Sequence, residues 1–320
     1  MSTLTPTRTA LVLAFATIYL VWGSTYLAIR VAVESMPPFA MAACRFLIAG
    51  TLMATFLRLR GAAWPTGPQW RDHALVGLLL LLGGNGLVVW AEQYIASGVA
   101  ALVIGIGPLF IVLIEWAWPG GTRPGAVTIA ALLVGLFGVT WLAAPWESTA
   151  GGGLHVGGVI ALILSCAFWS LGSIVSRHAK SGAPPLAAAS LQMLSGGAGL
   201  TLAALVHGDF ARIDLHTITP QAWISFAYLI LFGSLIAYSA FAFLLKHSQP
   251  ARVATFAYVN PVVAVFLGWL LLNEPVTPRT LIASAIIIAA VVIITLQKAR
   301  PPAAPAKPAS IKPAAGSAQA

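Results

Sequence analysis

Long apolar runs alternate along the chain with short segments that carry Pro, Gly or charge. Each run approaches the roughly 20 residues that a bilayer-crossing helix needs. They predict ten transmembrane helices, at 11–29, 39–57, 74–91, 98–117, 126–143, 156–176, 186–206, 222–245, 253–272 and 280–296. The longest connections hold about 15 residues, which leaves no room for a sizeable soluble domain. The first run contains Trp22 and Tyr26 and lacks a small-x-small cleavage pattern before Arg30, so it reads as a retained helix and not as a leader. The Ala/Pro/Lys-rich stretch at 298–320 is expected to be a disordered tail.

Composition fixes the class. Of the 320 residues 59% are hydrophobic and 8% charged, against about 25% charged in soluble domains. An ordinary cytosolic enzyme is excluded, and the fold class is all-α integral membrane. The two cysteines, Cys44 and Cys166, cannot build a disulfide framework or a four-ligand zinc site and read as buried packing residues. No metal and no cofactor is expected. A net charge of +9 would suggest nucleic acid in a soluble protein, but here it sorts by side. With the N-terminus inside, 13 of the 17 Lys and Arg fall on the cytoplasmic side and Arg30, Arg212 and Arg279 outside, with Arg45 in the second span. This predicts a multi-pass protein of the cell (inner or plasma) membrane with both termini cytoplasmic and no nucleic-acid partner.

An offset of 147 lays Trp22 on Trp169, Arg30 on Arg177, Pro37-Pro38 on Pro184-Pro185, Leu47 on Leu194 and Gly50 on Gly197. Near the ends of the halves an offset of 153 lays Pro108 on Pro261 and Trp116 on Trp269. Five helices are therefore duplicated, and because five is odd the copies face opposite ways. The expected organisation is a cytoplasmic N-terminus (1–10), a first five-helix repeat (11–143), a linker (144–155), a second repeat (156–297) and the tail (298–320). Inverted repeats of this kind are a signature of transporters, with the substrate path between the halves.

The stretch Trp22-Gly-Ser-Thr-Tyr-Leu-Ala-Ile-Arg30, the pairs Pro37-Pro38, Arg45-Phe46 and Ala91-Glu92, the triplet Gly84-Asn85-Gly86, and the closing Tyr258-Val-Asn260-Pro261 with Leu272-Asn-Glu274-Pro resemble the EamA-type drug/metabolite transporter superfamily. Within it the chain is most similar to YedA-like inner-membrane exporters. The resemblance spans roughly residues 10–297 and implies ten helices, a central cavity and export of metabolites or drugs. The acidic residue that the family carries after its Pro-containing helix is Glu274 in the second half; the matching Pro119-Gly-Gly121 has none.

An ionisable group at membrane depth is a functional candidate because burying it unpaired costs about 2.5 to 3.5 kcal/mol on insertion scales. Arg45 is the clearest, suited to an anionic substrate group or to Glu92; a snorkelling Arg45 is the bland alternative. Glu92 is the candidate for proton or ion coupling, while Glu115 reads as interfacial and Glu274 as a brace at a helix end. Asn85 between two glycines and Asn260 beside Pro261 lie where helices can open and expose carbonyls to a cavity. Pro108 and Pro261 are the expected hinges, in segments broken at corresponding places of the two halves. Trp22, Tyr26, Trp169, Tyr238 and Tyr258 offer aromatic faces to a substrate, and Gln192 breaks the symmetry as the repeat mate of Arg45. Close packing and kinks account for the same glycines and prolines without function.

The expected partners are the lipid bilayer and a small molecule, either an amino-acid-like metabolite or an amphiphilic drug. A non-enzymatic exporter working by alternating access is the leading reading. No HExxH signature, no Asp within a span and no GxxxxGK[ST] loop supports an intramembrane enzyme or an ATP-driven pump. A membrane channel or a non-transporting scaffold is the alternative, and oligomeric state is left open.

Overall fold

The computed structural model describes residues 7–121, 123–143, 154–178, 183–248, 253 and 255–299. Among these the chain is helical, with no strand. The rods are α1 (Arg8–Val33), α2 (Pro38–Leu59), α3 (Gly67–Ala91), α4 (Ser97–Ala117), α5 (Ala126–Ala143), α6 (Val156–His178), α7 (Pro185–His207), α8 (220–247), α9 (Phe256–Leu272) and α10 (Pro278–Ala299). Eight are long and apolar enough to cross a membrane; α5 and α9 are apolar but shorter. Most of the expected linker, at 144–153, and the tail from 300 lie outside the described residues.

Local chemistry sets the boundaries. Pro38, Pro185 and Pro220 each stand in the first turn of their helices, where a missing N–H costs nothing and φ is already helical. The helix α3 begins earlier than its apolar run because Thr66-Gly-Pro-Gln69 forms a cap, with Gln69 Oε1 accepting the Thr66 N–H at 2.9 Å. Two ends close through left-handed residues, Gly208 (φ 76°) after α7 and Asn273 (φ 53°) after α9.

The two halves interlock. Helices α2 and α7 share the longest helix–helix interface, and α5 pairs with α10 and α4 with α9. Helix α1 lies against α8 and α9 of the other half, while its mate α6 lies against α3 and α4. Each principal contact thus has a counterpart with the halves exchanged. Outside, Leu52, Phe56, Leu133, Phe137, Leu202, Ile224 and Leu281 are exposed, an apolar surface that belongs in lipid. Cys166 is buried, whereas Cys44 is exposed on α2, so the packing role expected from its apolar surroundings does not hold for Cys44.

Helices α3 and α8 each contain an eight-residue π-helical stretch, Leu78–Asn85 and Leu229–Ile236, the second beginning 151 residues after the first. Their ends are fixed by Gly86 N–H to Leu81 C=O and Ala237 N–H to Phe232 C=O, each spanning five residues. Such widened turns occur frequently at functional sites. Helix α4 is interrupted at Gly105–Ile106, with Pro108 in the first turn of its second segment. Pro261, by contrast, lies inside the continuous helix Phe256–Leu272. The expected pair of breaks at Pro108 and Pro261 therefore opens only on the first side. Pro261 is the sixth residue of that helix, past the first turn, so it withholds the N–H that the Ala257 carbonyl would otherwise accept.

Candidate functional site

Arg45 lies two turns into α2 and is 3% exposed. Its Nε donates to Ser234 Oγ at 3.0 Å, on the π-helical stretch of α8, and its guanidinium sits 4.6 Å from the ring centre of Phe46. Nη1 is buried with no hydrogen-bond acceptor. The approach requires Gly233: an added Cβ there would lie 3.1 Å from Arg45 Nη2 and 3.0 Å from Thr25 Cγ2. Tyr238, one turn on, is in electrostatic contact with Arg45. Trp22 donates its indole N–H to Gly233 C=O at 3.3 Å and is enclosed by Tyr238, Phe241 and Phe256, with ring centres 5.6, 5.1 and 5.2 Å away.

Glu92 ends α3 and is fully buried. Both of its carboxylate oxygens lack a hydrogen-bond partner. Arg30 donates to the Glu92 backbone carbonyl, and Arg45, Arg30, Glu274 and Tyr26 surround the carboxyl electrostatically. Glu274 turns back after Asn273, its N–H reaching Gly268 C=O at 3.1 Å. Its Oε1 accepts Ser97 N–H at 2.7 Å and its Oε2 Gly98 N–H at 3.0 Å, capping α4. The same half repeats the device with Asp209, which follows Gly208. Its Oδ2 accepts Phe39 N–H at 2.8 Å and Ala40 N–H at 3.0 Å at the start of α2, while His207 and Arg212 hold Oδ1 at 2.6 and 2.9 Å. Both caps satisfy orphan helix donors and meet the positive end of a helix dipole. They lie at one end of the bundle. At the other end Arg177 pairs with Glu115 at 2.5 Å, joining α6 to α4.

Asn85 and Trp169 meet around the first π-helical stretch. A Cβ on Gly84 would lie 3.0 Å from the Trp169 ring, Ser165 donates to Gly84 C=O at 2.8 Å, and Asn85 Oδ1 is buried without a partner. Gln192 is elsewhere, its amide 3.3 Å from His73 Nδ1. Asn260, with its amide turned to donate, reaches Tyr19 C=O and Phe256 C=O, each at 3.2 Å. Tyr19 bonds Thr255, and Tyr258 neighbours both. Arg45, Tyr238 and Trp22 thus come together, with Tyr26 and Glu92 in electrostatic reach and Asn260 adjoining Trp22 through Phe256 and Gly23, whereas Gln192 stands apart. A groove lined by Leu102, Val265, Phe266, Trp269 and Leu281 touches only Pro261 of the candidates and opens toward lipid.

Ser234 and the π-helical stretches escaped the sequence reading, which carried Arg30 as a repeat mate and an outside charge but not as a neighbour of Glu92. An offset of 150 lays Gly83-Gly84 on Gly233-Ser234. The offsets of 147 and 153 bracket that match and miss it.

The profile of the EamA-like transporter family matches residues 9–144 and again 156–296. The Escherichia coli (strain K12) protein "Uncharacterized inner membrane transporter YedA" is 37% identical over 297 residues, 91% of this chain and 92% of its own. The Bacillus subtilis (strain 168) protein "Uncharacterized transporter YvbV" is 24% identical across 95% and 97% of the two chains. A crystallographically solved protein with 23% identity superposes with a TM-score of 0.62, covering 91% of this chain and 98% of its own, and shares the fold. Two matched copies in tandem, on an apolar helical bundle whose halves interlock, place the chain in the EamA-like transporter family.

Proposed function

We propose that this membrane transporter is a secondary exporter of small metabolites or drugs, working by alternating access between two inverted halves. Ten spans, cytoplasmic termini and an inner-membrane location complete the reading, supported by the distribution of Lys and Arg and by the exchange symmetry of the helix contacts. One observation carries it. Each half holds a π-helical stretch in its third helix, and each stretch is covered by the tryptophan of the other half's first helix, Trp22 on Gly233 and Trp169 on Gly84. Deformable backbone at equivalent places, gripped across the interface between the halves, suits rocking of one half on the other.

In this reading Trp22, Tyr26, Trp169, Tyr238 and Tyr258 line the path, and Arg45, Asn85, Gln192 and Asn260 meet polar groups at successive depths. Glu92 is the proton or ion coupling group. Pro108 and Pro261 absorb the bend, the first at the open break of α4 and the second through its ring against Gly105, whose added Cβ would lie 3.3 Å away. The test is counterflow of a pooled metabolite and drug mixture in liposomes carrying the purified protein. Saturable, substrate-specific exchange is expected; non-saturable leak identifies a channel, and no flux a scaffold.

A further inference from the structure

Four charged side chains form one electrostatic centre: the buried Arg45 on α2 and Glu92 at the end of α3, with the half-buried Arg30 on α1 and Glu274 after α9 acting on the Glu92 carboxyl. Two positive and two negative groups leave it neutral. Arg45 and Glu92 nevertheless lie beyond ion-pair distance of each other, and neither forms an ion pair elsewhere among the described residues. Glu274 is committed to the α4 cap. The unsatisfied atoms are Arg45 Nη1 on one side, Glu92 Oε1 and Oε2 on the other, and the hydroxyl of Ser97, whose N–H Glu274 accepts. Buried polar atoms normally find partners, and exceptions call for a ligand or a catalytic role.

We propose that this centre binds a monoanion and a proton together, the anion on Arg45 Nη1 and the proton on the Glu92 carboxyl. The inference rests on the transport reading and names the substrate class for it. A guanidinium with a free, fully buried N–H is a strong carboxylate site, and its other neighbours, Ser234, Tyr238 and Phe46, oppose an anion with no charge. A cation on Glu92 would be opposed by two guanidinium groups, Arg30 and Arg45, which stay charged. Burial completes the argument. One anion added to a neutral centre leaves a net buried charge, which is costly at membrane depth, and one proton on Glu92 restores neutrality. Each ligand therefore favours the other, and by linkage the effect is mutual. The groups facing Glu92 are Tyr26 and Arg30 from α1, Arg45 from α2 and Glu274 after α9. Arginine does not release a proton and Glu274 is held by two N–H donors, so the proton goes to Glu92. Anion and proton then cross in the same direction.

The test loads proteoliposomes of the full chain with a pH dye and adds, one class at a time, α-hydroxy and α-keto monocarboxylates, α-amino acids, primary amines and neutral amides. Protein-free vesicles give the blank. The expected result is saturable entry of monocarboxylates with acidification of the lumen, one proton per anion. Arg45→Gln should lower that entry about tenfold or more, and Glu92→Gln should abolish the proton movement, both judged against elution profile and thermal unfolding. Saturable entry of amines, amides or amino acids alone overturns the proposal and leaves the transport reading standing, and so does monocarboxylate entry without protons in the wild-type protein. Absence of saturable flux for every class overturns the transport reading and this proposal with it.

Discussion

Leu47 packs directly on Gly197, and its repeat mate Leu194 packs on Gly50. A methyl group added at Gly197 would lie 2.9 Å from Leu47 Cγ, and one at Gly50 3.1 Å from Leu194 Cγ. The correspondence at an offset of 147 thus becomes a reciprocal contact along the α2–α7 interface. In lipid no hydrophobic drive joins helices, so close approach at small residues does the work. Gly197→Ala and Gly50→Ala each place the new methyl near 3.1 Å from a backbone nitrogen, Leu47 N or Leu194 N, which cannot yield as a side chain would. Each is expected to destabilise by about 1–3 kcal/mol, read as a lower thermal midpoint of the detergent-solubilised protein.

Gly233→Ala should separate function from stability. Its methyl meets Arg45 Nη2 and Thr25 Cγ2, the ends of side chains that can move. A thermal midpoint close to wild type is expected, with a displaced Arg45 and a transport rate lowered about tenfold. A normal rate in the counterflow assay would remove the Arg45–Ser234 geometry from the mechanism.

The two caps make a matched pair of predictions. Glu274→Ala leaves Ser97 and Gly98 N–H without acceptors, and Asp209→Ala does the same for Phe39 and Ala40. Losing a cap costs about 1–2 kcal/mol. Asp209→Ala should cost more than Glu274→Ala, because it also strips partners from His207 and Arg212. Chemical or thermal unfolding of the two variants side by side decides the order.

At the opposite end Arg177 and Glu115 form a short pair, but the side chains are 56% and 34% exposed. Solvent screening limits such pairs to under about 1 kcal/mol. Glu115→Gln should therefore shift the thermal midpoint by little, and less still at high salt. A large, salt-independent loss would mean that this contact holds the halves together.

The membrane class, the apolar runs and the duplication were legible in the chain itself, because partition into lipid follows local composition and a repeated motif survives as a linear offset. The two family matches bear out the duplication. Arg45 could be singled out from its burial cost alone, and Glu92 from its place at a span end. The companions of these residues were not legible. Arg45 meets Ser234 across 189 positions, Trp22 meets Gly233 across 211, and Glu274 meets Ser97 across 177. Nothing in the apolar pattern could supply those pairings, since lipid rewards every outward face equally and leaves contacts between helices to shape and hydrogen bonding. The π-helical stretches were decided by tertiary packing, where the tryptophan of one half presses on the small residues of the other, and so was the parting of the Arg45 and Glu92 charges, which sit on different helices.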